Sequence, residues 1–349
     1  MHYAGIVSHK ATLRRLIAAA SKIVNLGYDE MAPLDTLLDQ AEQTLFDVSQ
    51  KNLRQNFTAI GSVLAESFAR RDALNKDKHK LRGVLTGYND LDNVLAGLQK
   101  SDLIILAARP SMGKTSLALN IAQHVAVKEG IPVGFFSLEM SKEQLIDRLL
   151  ASEAGIDSWK LRTGSLEDVD FPKLNNAMAV LSEAPFYIDD SPLTNVMEMR
   201  TKARRLQSEH DLGLIVVDYL QLMSGRKSSS DNRVNEVSEI SRGLKGLARE
   251  LNVPVIALSQ LSRSVESRSP QIPQLADLRE SGSIEQDADV VMFIYREDYY
   301  NPETDRHNIA DVLIKKHRNG PIGNAELYWQ PERLLFRNLD KTHSARVVE

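Results

Sequence analysis

Five side chains scattered along this 349-residue chain could together bind and cleave a nucleoside triphosphate. Lys114 and Thr115 close the stretch "ARPSMGKT" (108–115), which follows the phosphate-loop pattern G-x-x-x-x-G-K-[ST] except that Ala108 takes the first glycine position. In such a loop Ser111, Met112, Gly113 and Ser116 surround the phosphates. Unpaired backbone N–H groups at the helix start attract the anion. Lys114 brings charge to the outer phosphates, and the Thr115 hydroxyl can join Mg²⁺. Asp218 is the only acid in "LGLIVVDYLQL" (212–222). A charge is costly in so apolar a run unless it meets a cation, so Asp218 is the second metal candidate.

A water-activating base is also needed. The position after the metal aspartate, where many such ATPases place a glutamate, holds Tyr219. Glu139, ending the apolar run "PVGFFSLE" (132–139), is the candidate, because its strand follows the phosphate-loop helix and should lie beside it. The alternative is a first-turn glutamate stabilised by the dipole of the next helix. Gln260 ends another apolar run and could sense the γ-phosphate, a weak signal taken alone. The guanine-reading pattern of GTPases is missing, since the near match "NKDK" (75–78) precedes the loop. A small-molecule kinase stays open on these residues.

The elements that must position these groups are legible in the hydrophobic pattern. Apolar runs at 102–108, 132–139, 186–190, 212–222, 253–260 and 289–295 alternate with amphipathic helices, as in a parallel sheet buried on both faces. "IADVLIKKH" and "NAELYWQ" read as antiparallel edge strands joined by an Asn319-Gly320 turn. Ahead of the sheet, Leu13, Leu16, Ile17, Ala20 and Ile23 repeat at helical spacing up to Gly27. A second helix is expected over 33–48. The charged stretch 70–82 reads as a solvated connector.

Composition sets outer bounds. The chain is 42% hydrophobic and 26% charged, and without cysteine it can form neither a disulfide framework nor a thiolate zinc site. No apolar stretch reaches the length of a membrane span, and the first residues lack the apolar centre of a secretory signal. A cytoplasmic location is expected. The net charge of −4 provides no basic footprint of the usual nucleic-acid-binding kind.

In addition, "ARPSMGKTSLALNIA", "FFSLEMS", "IVVDYLQLM", "LSQLSRSVE", "DLRESGSIEQDADVV" and "KKHRNGPIG" stand in order and at spacings that resemble the DnaB family of bacterial replicative DNA helicases, over about 81–339. The resemblance implies an α/β RecA-like P-loop core with a mostly parallel sheet over 81–349. Before it would come a linker with a docking helix over 29–80, and a remnant over 1–28 of the helical domain with which members begin. It implies ATP and Mg²⁺ as cofactors, and a homohexameric ring that moves 5′→3′ on single-stranded DNA and opens forked duplex on the nucleoid. Primase, a helicase loader and the polymerase clamp-loader would be partners, and no membrane would be involved.

By the same resemblance Lys114, Thr115 and Asp218 hold nucleotide and Mg²⁺, Glu139 is the base, Gln260 the γ-phosphate sensor and Arg148 a nucleotide contact. Lys316 and Arg318 match the pair that a neighbouring subunit inserts into the ATP site, and Arg279, Glu280 and Gly282 the loop that faces DNA. Few contacts per subunit suffice in a six-fold channel, and backbone amides hold phosphates without net charge, so the acidic balance is no obstacle. A recombinase or filament ATPase of the same fold, and a nucleotide-regulated scaffold, are the rival readings. Unwinding of a forked duplex separates them.

Overall fold

The computed structural model describes residues 2–28, 36–37, 40–45, 60–61, 64, 83–191, 195–223 and 233–339. It divides into two compact units, Met1–Asp77 and Lys78–Glu349. In the first, α1 (His2–Leu26) ends where Gly27 N–H bonds back to the carbonyls of Ile23 and Val24. The helix is longer than the short periodic stretch suggests, and Leu13, Leu16 and Ile17 of the expected apolar stripe are exposed. Residues 36–37 and 40–45 are helical, while the rest of the second helix and the connector at 70–82 lie outside the described residues.

The second unit is one nine-stranded sheet covered by helices. Along the chain come α2 (Asn89–Leu95), β1 (Leu103–Ala108), α3 (Lys114–Val127), β2 (Val133–Ser137), α4 (Lys142–Ala154), α5 (Ser158–Thr163), α6 (Asp170–Glu183) and β3 (Phe186–Asp189). They are followed by α7 (Val196–His210), β4 (Leu214–Asp218), α8 (Arg233–Leu251), β5 (Val255–Gln260), α9 (Gly282–Asp287), β6 (Val290–Tyr295) and α10 (Glu297–Tyr300). The last strands are β7 (Ile309–His317), β8 (Gly323–Gln330) and β9 (Leu335–Asn338). The order is β3-β2-β4-β5-β1-β6-β7-β8-β9, parallel through β6 and antiparallel from β6 to β9.

Alternation explains why the central strands are almost wholly apolar. Ile104 and Leu106 of β1 join one core with Leu214, Val216, Ile256 and Leu258, under α3. Leu103, Ile105 and Ala107 point the other way, into a core with Ile215, Val217, Val255 and Ala257 that α8 covers. Both faces are dry, so these strands are apolar except at their carboxyl ends, where Ser137, Asp218 and Ser259 are buried. Among the described residues no helix is long and apolar enough to cross a membrane.

β2 lies beside the phosphate-loop helix α3 as expected, although β4 and β5 stand between it and β1. Two expectations are corrected. Glu139 lies beyond β2, which ends at Ser137. The β7–β8 connection spans residues 318–322 instead of a two-residue Asn319-Gly320 turn. Such a turn needs positive φ at both central residues, and neither has it. Pro321 is the physical reason, because it forces the residue before it into extended backbone. Strand β9 was not expected at all.

The foot of β1 carries a buried acid. Asp102 is 8% exposed. Burial, and then the charge of Asp289, raise its carboxyl from 3.8 to about 6, against the pull of Lys245, His317 and Arg318. The folded state thus keeps a proton that the unfolded chain gives up at lower pH. The stabilisation is complete below about pH 3.8 and is lost as pH rises through about 6. Thermal melts should show this loss in the parent chain and a flatter profile in Asp102→Asn. Parallel profiles would remove Asp102 as the cause.

Candidate nucleotide site

Four strand ends build the site, all at the carboxyl edge of the parallel strands, where open α/β sheets bind ligands. β1 runs into the phosphate loop, β2 into Glu139, β4 ends on Asp218 and β5 on Gln260. Between them lies a cleft of about 410 Å³ whose lining includes Ser111, Gly113, Lys114, Thr115, Ser116, Glu139, Arg148 and Gln260. Met112 is buried in the core beneath it, leaving only its backbone for the loop.

Gly113 caps α3 with no side-chain bond of its own. It must be glycine for two reasons. Its φ is +92°, and a Cβ there would stand 2.8 Å from Phe336 Cζ. Ala108 needs no such freedom, being an ordinary buried residue that ends β1.

Asp218 is completely buried. Its Oδ2 accepts from Thr115 Oγ1 at 2.7 Å, while Lys114 Nζ lies 3.9 Å from Oδ1. Oδ1 has no hydrogen-bond partner among the described residues. Burial raises the carboxyl above its ordinary value, with Lys114, the Thr115 hydroxyl and Arg148 pulling it back. Burial likewise lowers the Lys114 ammonium, opposed by Asp218 and Glu139. A buried carboxylate with an unused oxygen beside a hydroxyl fits a hard cation. Among the described residues no three His, Cys, Asp or Glu side chains cluster to hold a metal alone, so the phosphates would supply the remaining oxygens.

Glu139 is exposed and is not part of a helix. The N-cap of α4 is Ser141, in a reciprocal bond pair with Gln144, and the first-turn acid is Glu143. A helix-dipole role therefore belongs to Glu143. Glu139 is held by the turn before it, where Ser137 Oγ bonds both the carbonyl and the amide of Met140. Leu138 N–H donates to Asp218 O at 2.7 Å, which ties this turn to the metal strand. Arg148 reaches the cleft from α4, and burial lowers its pKa against the fields of Asp218 and Glu139.

Sequence reasoning missed several supporting groups. Tyr219 places its ring 4.5 Å below Lys114 Nζ. Gln221 donates to Ser259 Oγ at 2.9 Å and exchanges bonds with the Gln260 backbone at 3.3 Å, fixing the end of β5. Arg109 links the phosphate loop to Leu261 O at 2.8 Å and to Glu266. Trp329 and Leu334 line the cleft from the β8–β9 hairpin. A tyrosine in the place of the expected glutamate was the one visible signal among them.

Lys316 and Arg318 are not brought to this cleft. Lys316 pairs with Val291 near the start of β6, and Val290 pairs with Ile104 near the start of β1. The two are thus separated from their own phosphate loop by about 13 Å of strand. Burial, then the charge of Arg318, lower the Lys316 ammonium. Gly282 opens α9, but the side chains at 279–282, including Arg279 and Glu280, lie outside the described ones.

The profile of the DnaB-like helicase C terminal domain matches residues 83–338. The chain belongs to the DnaB family of replicative DNA helicases. Over 340 residues the helicase is 50% identical to the Replicative DNA helicase DnaB of Geobacillus stearothermophilus, covering 97% of this chain and 75% of that one. With its counterpart from Rickettsia typhi it shares 46% over 369 residues, covering 97% and 74%. A solved DnaB-like replicative helicase, studied for its interactions with primase, superposes with a TM-score of 0.83 at 34% identity, covering 97% of this chain and 79% of its own. A solved ATPase domain gives 0.78 at 37% identity, covering 82% of this chain and all of its own. The RecA-like fold and ATP-dependent helicase activity follow from this membership.

The division of labour in the helicase's cleft is open to test. Lys114→Ala should abolish nucleotide binding, because it removes the charge at the phosphates. Glu139→Gln should bind nucleotide normally in a fluorescent-nucleotide titration and lose hydrolysis by roughly 10²–10⁴. Hydrolysis by Glu139→Gln at the parent rate would assign the base elsewhere.

Proposed function

We propose that the helicase works as a homohexameric ring that translocates 5′→3′ on single-stranded DNA, splitting forked duplex with ATP sites completed between subunits. One observation carries the ring: the cleft and the basic pair Lys316 and Arg318 stand at opposite ends of the same sheet. Charge grows on the γ-phosphoryl oxygens during transfer, and a donated arginine is worth on the order of 10³–10⁵ in rate. A neighbouring subunit can deliver Lys316 and Arg318, which do not reach their own chain's cleft.

In this reading Lys114, Arg148 and the loop from Ser111 to Ser116 hold the triphosphate, Glu139 takes the proton of the attacking water, and Gln260 contacts the γ-phosphate. Thr115 and Asp218 would hold Mg²⁺, which when bound neutralises charge on the β- and γ-phosphates. Arg279, Glu280 and the Gly282 backbone face the DNA. The segment before them is well braced. Asp277 accepts two bonds from Arg268 at 2.7 Å and one from Gln274 N at 2.7 Å. The stretch 259–282 has three arginines and three acids, so a lone subunit should bind DNA weakly and assembly should be required.

We assign residues 1–28 to the end of an N-terminal helical domain, 29–80 to the linker and 81–349 to the motor. The cytoplasm, on the nucleoid, is the proposed location. The solved relative's interaction with primase supports primase as a partner here. A loader and the clamp-loader are proposed with it.

Two assays test this. Arg318→Ala should bind ATP and assemble but hydrolyse poorly. Mixing it with Glu139→Gln should restore hydrolysis wherever an intact base meets an intact arginine, and mixtures no more active than either variant would place Arg318 outside the neighbour's site. Arg279→Ala should weaken single-stranded DNA binding with basal hydrolysis nearly unchanged. Lost basal hydrolysis with normal DNA affinity would move that loop to the ATP site.

A further inference from the structure

Helix α9 has the DNA-facing loop at one end and the basic pair at the other. It begins at Gly282, and its closing carbonyls are collected by Lys316. Lys316 Nζ donates to Glu285 O at 2.5 Å, to Ala288 O at 2.8 Å and to Gln286 O at 3.4 Å. Arg318 Nη2 adds a bond to Gln286 O at 3.2 Å. These are the groups a helix leaves unpaired at its C-terminus, where a cation is also favoured by the dipole.

An ammonium has three protons, and three carbonyls engage them all. Lys316 therefore cannot hold α9 and a neighbour's γ-phosphate together. The flank of α9 is pinned separately: Ser238 Oγ donates to Ser283 Oγ at 2.6 Å, and Ser241 Oγ to Asp287 Oδ2 at 2.5 Å, both from α8. Ser238 thus holds the start of α9 and Ser241 its last residue, so loss of the Lys316 bonds would leave the closing carbonyls unpaired while these side-chain links stay.

We infer that Lys316 is a positioning residue for the 279–282 loop, bonded to α9 when the adjacent site lacks a triphosphate and released from it when that phosphate takes its ammonium. This rests on the reading of the pair as acting between subunits and of the loop as facing DNA. It gives the neighbour's nucleotide a direct hold on this subunit's DNA loop.

Hydrogen exchange of the backbone over 282–290, measured on the full chain assembled as a ring, tests the exchange of partners. A non-hydrolysable β,γ-imido ATP analogue with Mg²⁺ should raise exchange there in the parent protein by roughly 5-fold or more, and should change its affinity for single-stranded DNA by a similar factor. Lys316→Met should show the raised exchange without nucleotide, and its DNA affinity should no longer respond to the analogue. Lys316→Arg should restore much of the response. If Lys316→Met raises exchange but the analogue leaves the parent unchanged, Lys316 is a static cap and the inference is overturned. Unchanged exchange in Lys316→Met overturns it as well. Failure of the underlying readings would appear elsewhere, in the mixed-subunit and Arg279→Ala assays, neither of which alters Lys316.

Discussion

Burial of the Asp218 carboxylate is the constraint on which the site depends. The group is fully enclosed at the end of an apolar strand, and such a charge is tolerable only beside donors and cations. Thr115 and Lys114 answer that demand from the start of α3, just after β1, and β5 alone separates β1 from β4. The phosphate loop and the acid therefore hold each other in place before any nucleotide arrives. Glu139 benefits through the backbone bond from Leu138 to Asp218, which sets the β2 turn against the same point.

The change from parallel to antiparallel pairing at β6 and β7 gives the sheet two unlike edges. Parallel strands send every loop after them to one edge, and that edge binds nucleotide. An antiparallel β7 returns the chain to the opposite edge, where Lys316, Arg318, Asp289, Lys245 and Asp102 gather. The chain thus carries its nucleotide cleft at one edge of the sheet and a basic pair at the other.

Hydrogen bonds join the nucleotide edge to the segment that leads toward residues 279–282. Arg109 runs from the phosphate loop to Leu261 and Glu266, and Ser262 N–H donates to Asp277 O at 3.0 Å. The bond from Arg109 to the Leu261 carbonyl is buried, and the one to Glu266 partly so.

Contiguous chemistry was legible in the sequence. The phosphate loop is read by consecutive backbone groups, so its identity lies in eight adjacent residues and survives the change to Ala108. Asp218, Glu139 and Gln260 stood out as polar groups ending apolar runs, a pattern that follows from burial on both strand faces. The short β9 could not be read, since "LFRN" (335–338) shows no usable periodicity and is held as a strand by pairing with β8. Tertiary structure alone decided the strand order that separates β2 from β1, and the packing of Phe336 against Gly113. It also decided the Gln221 brace on Gln260 and the α9 carbonyls that occupy Lys316. Each of these joins residues far apart along the chain, and only the closed sheet brings their short-range forces within reach.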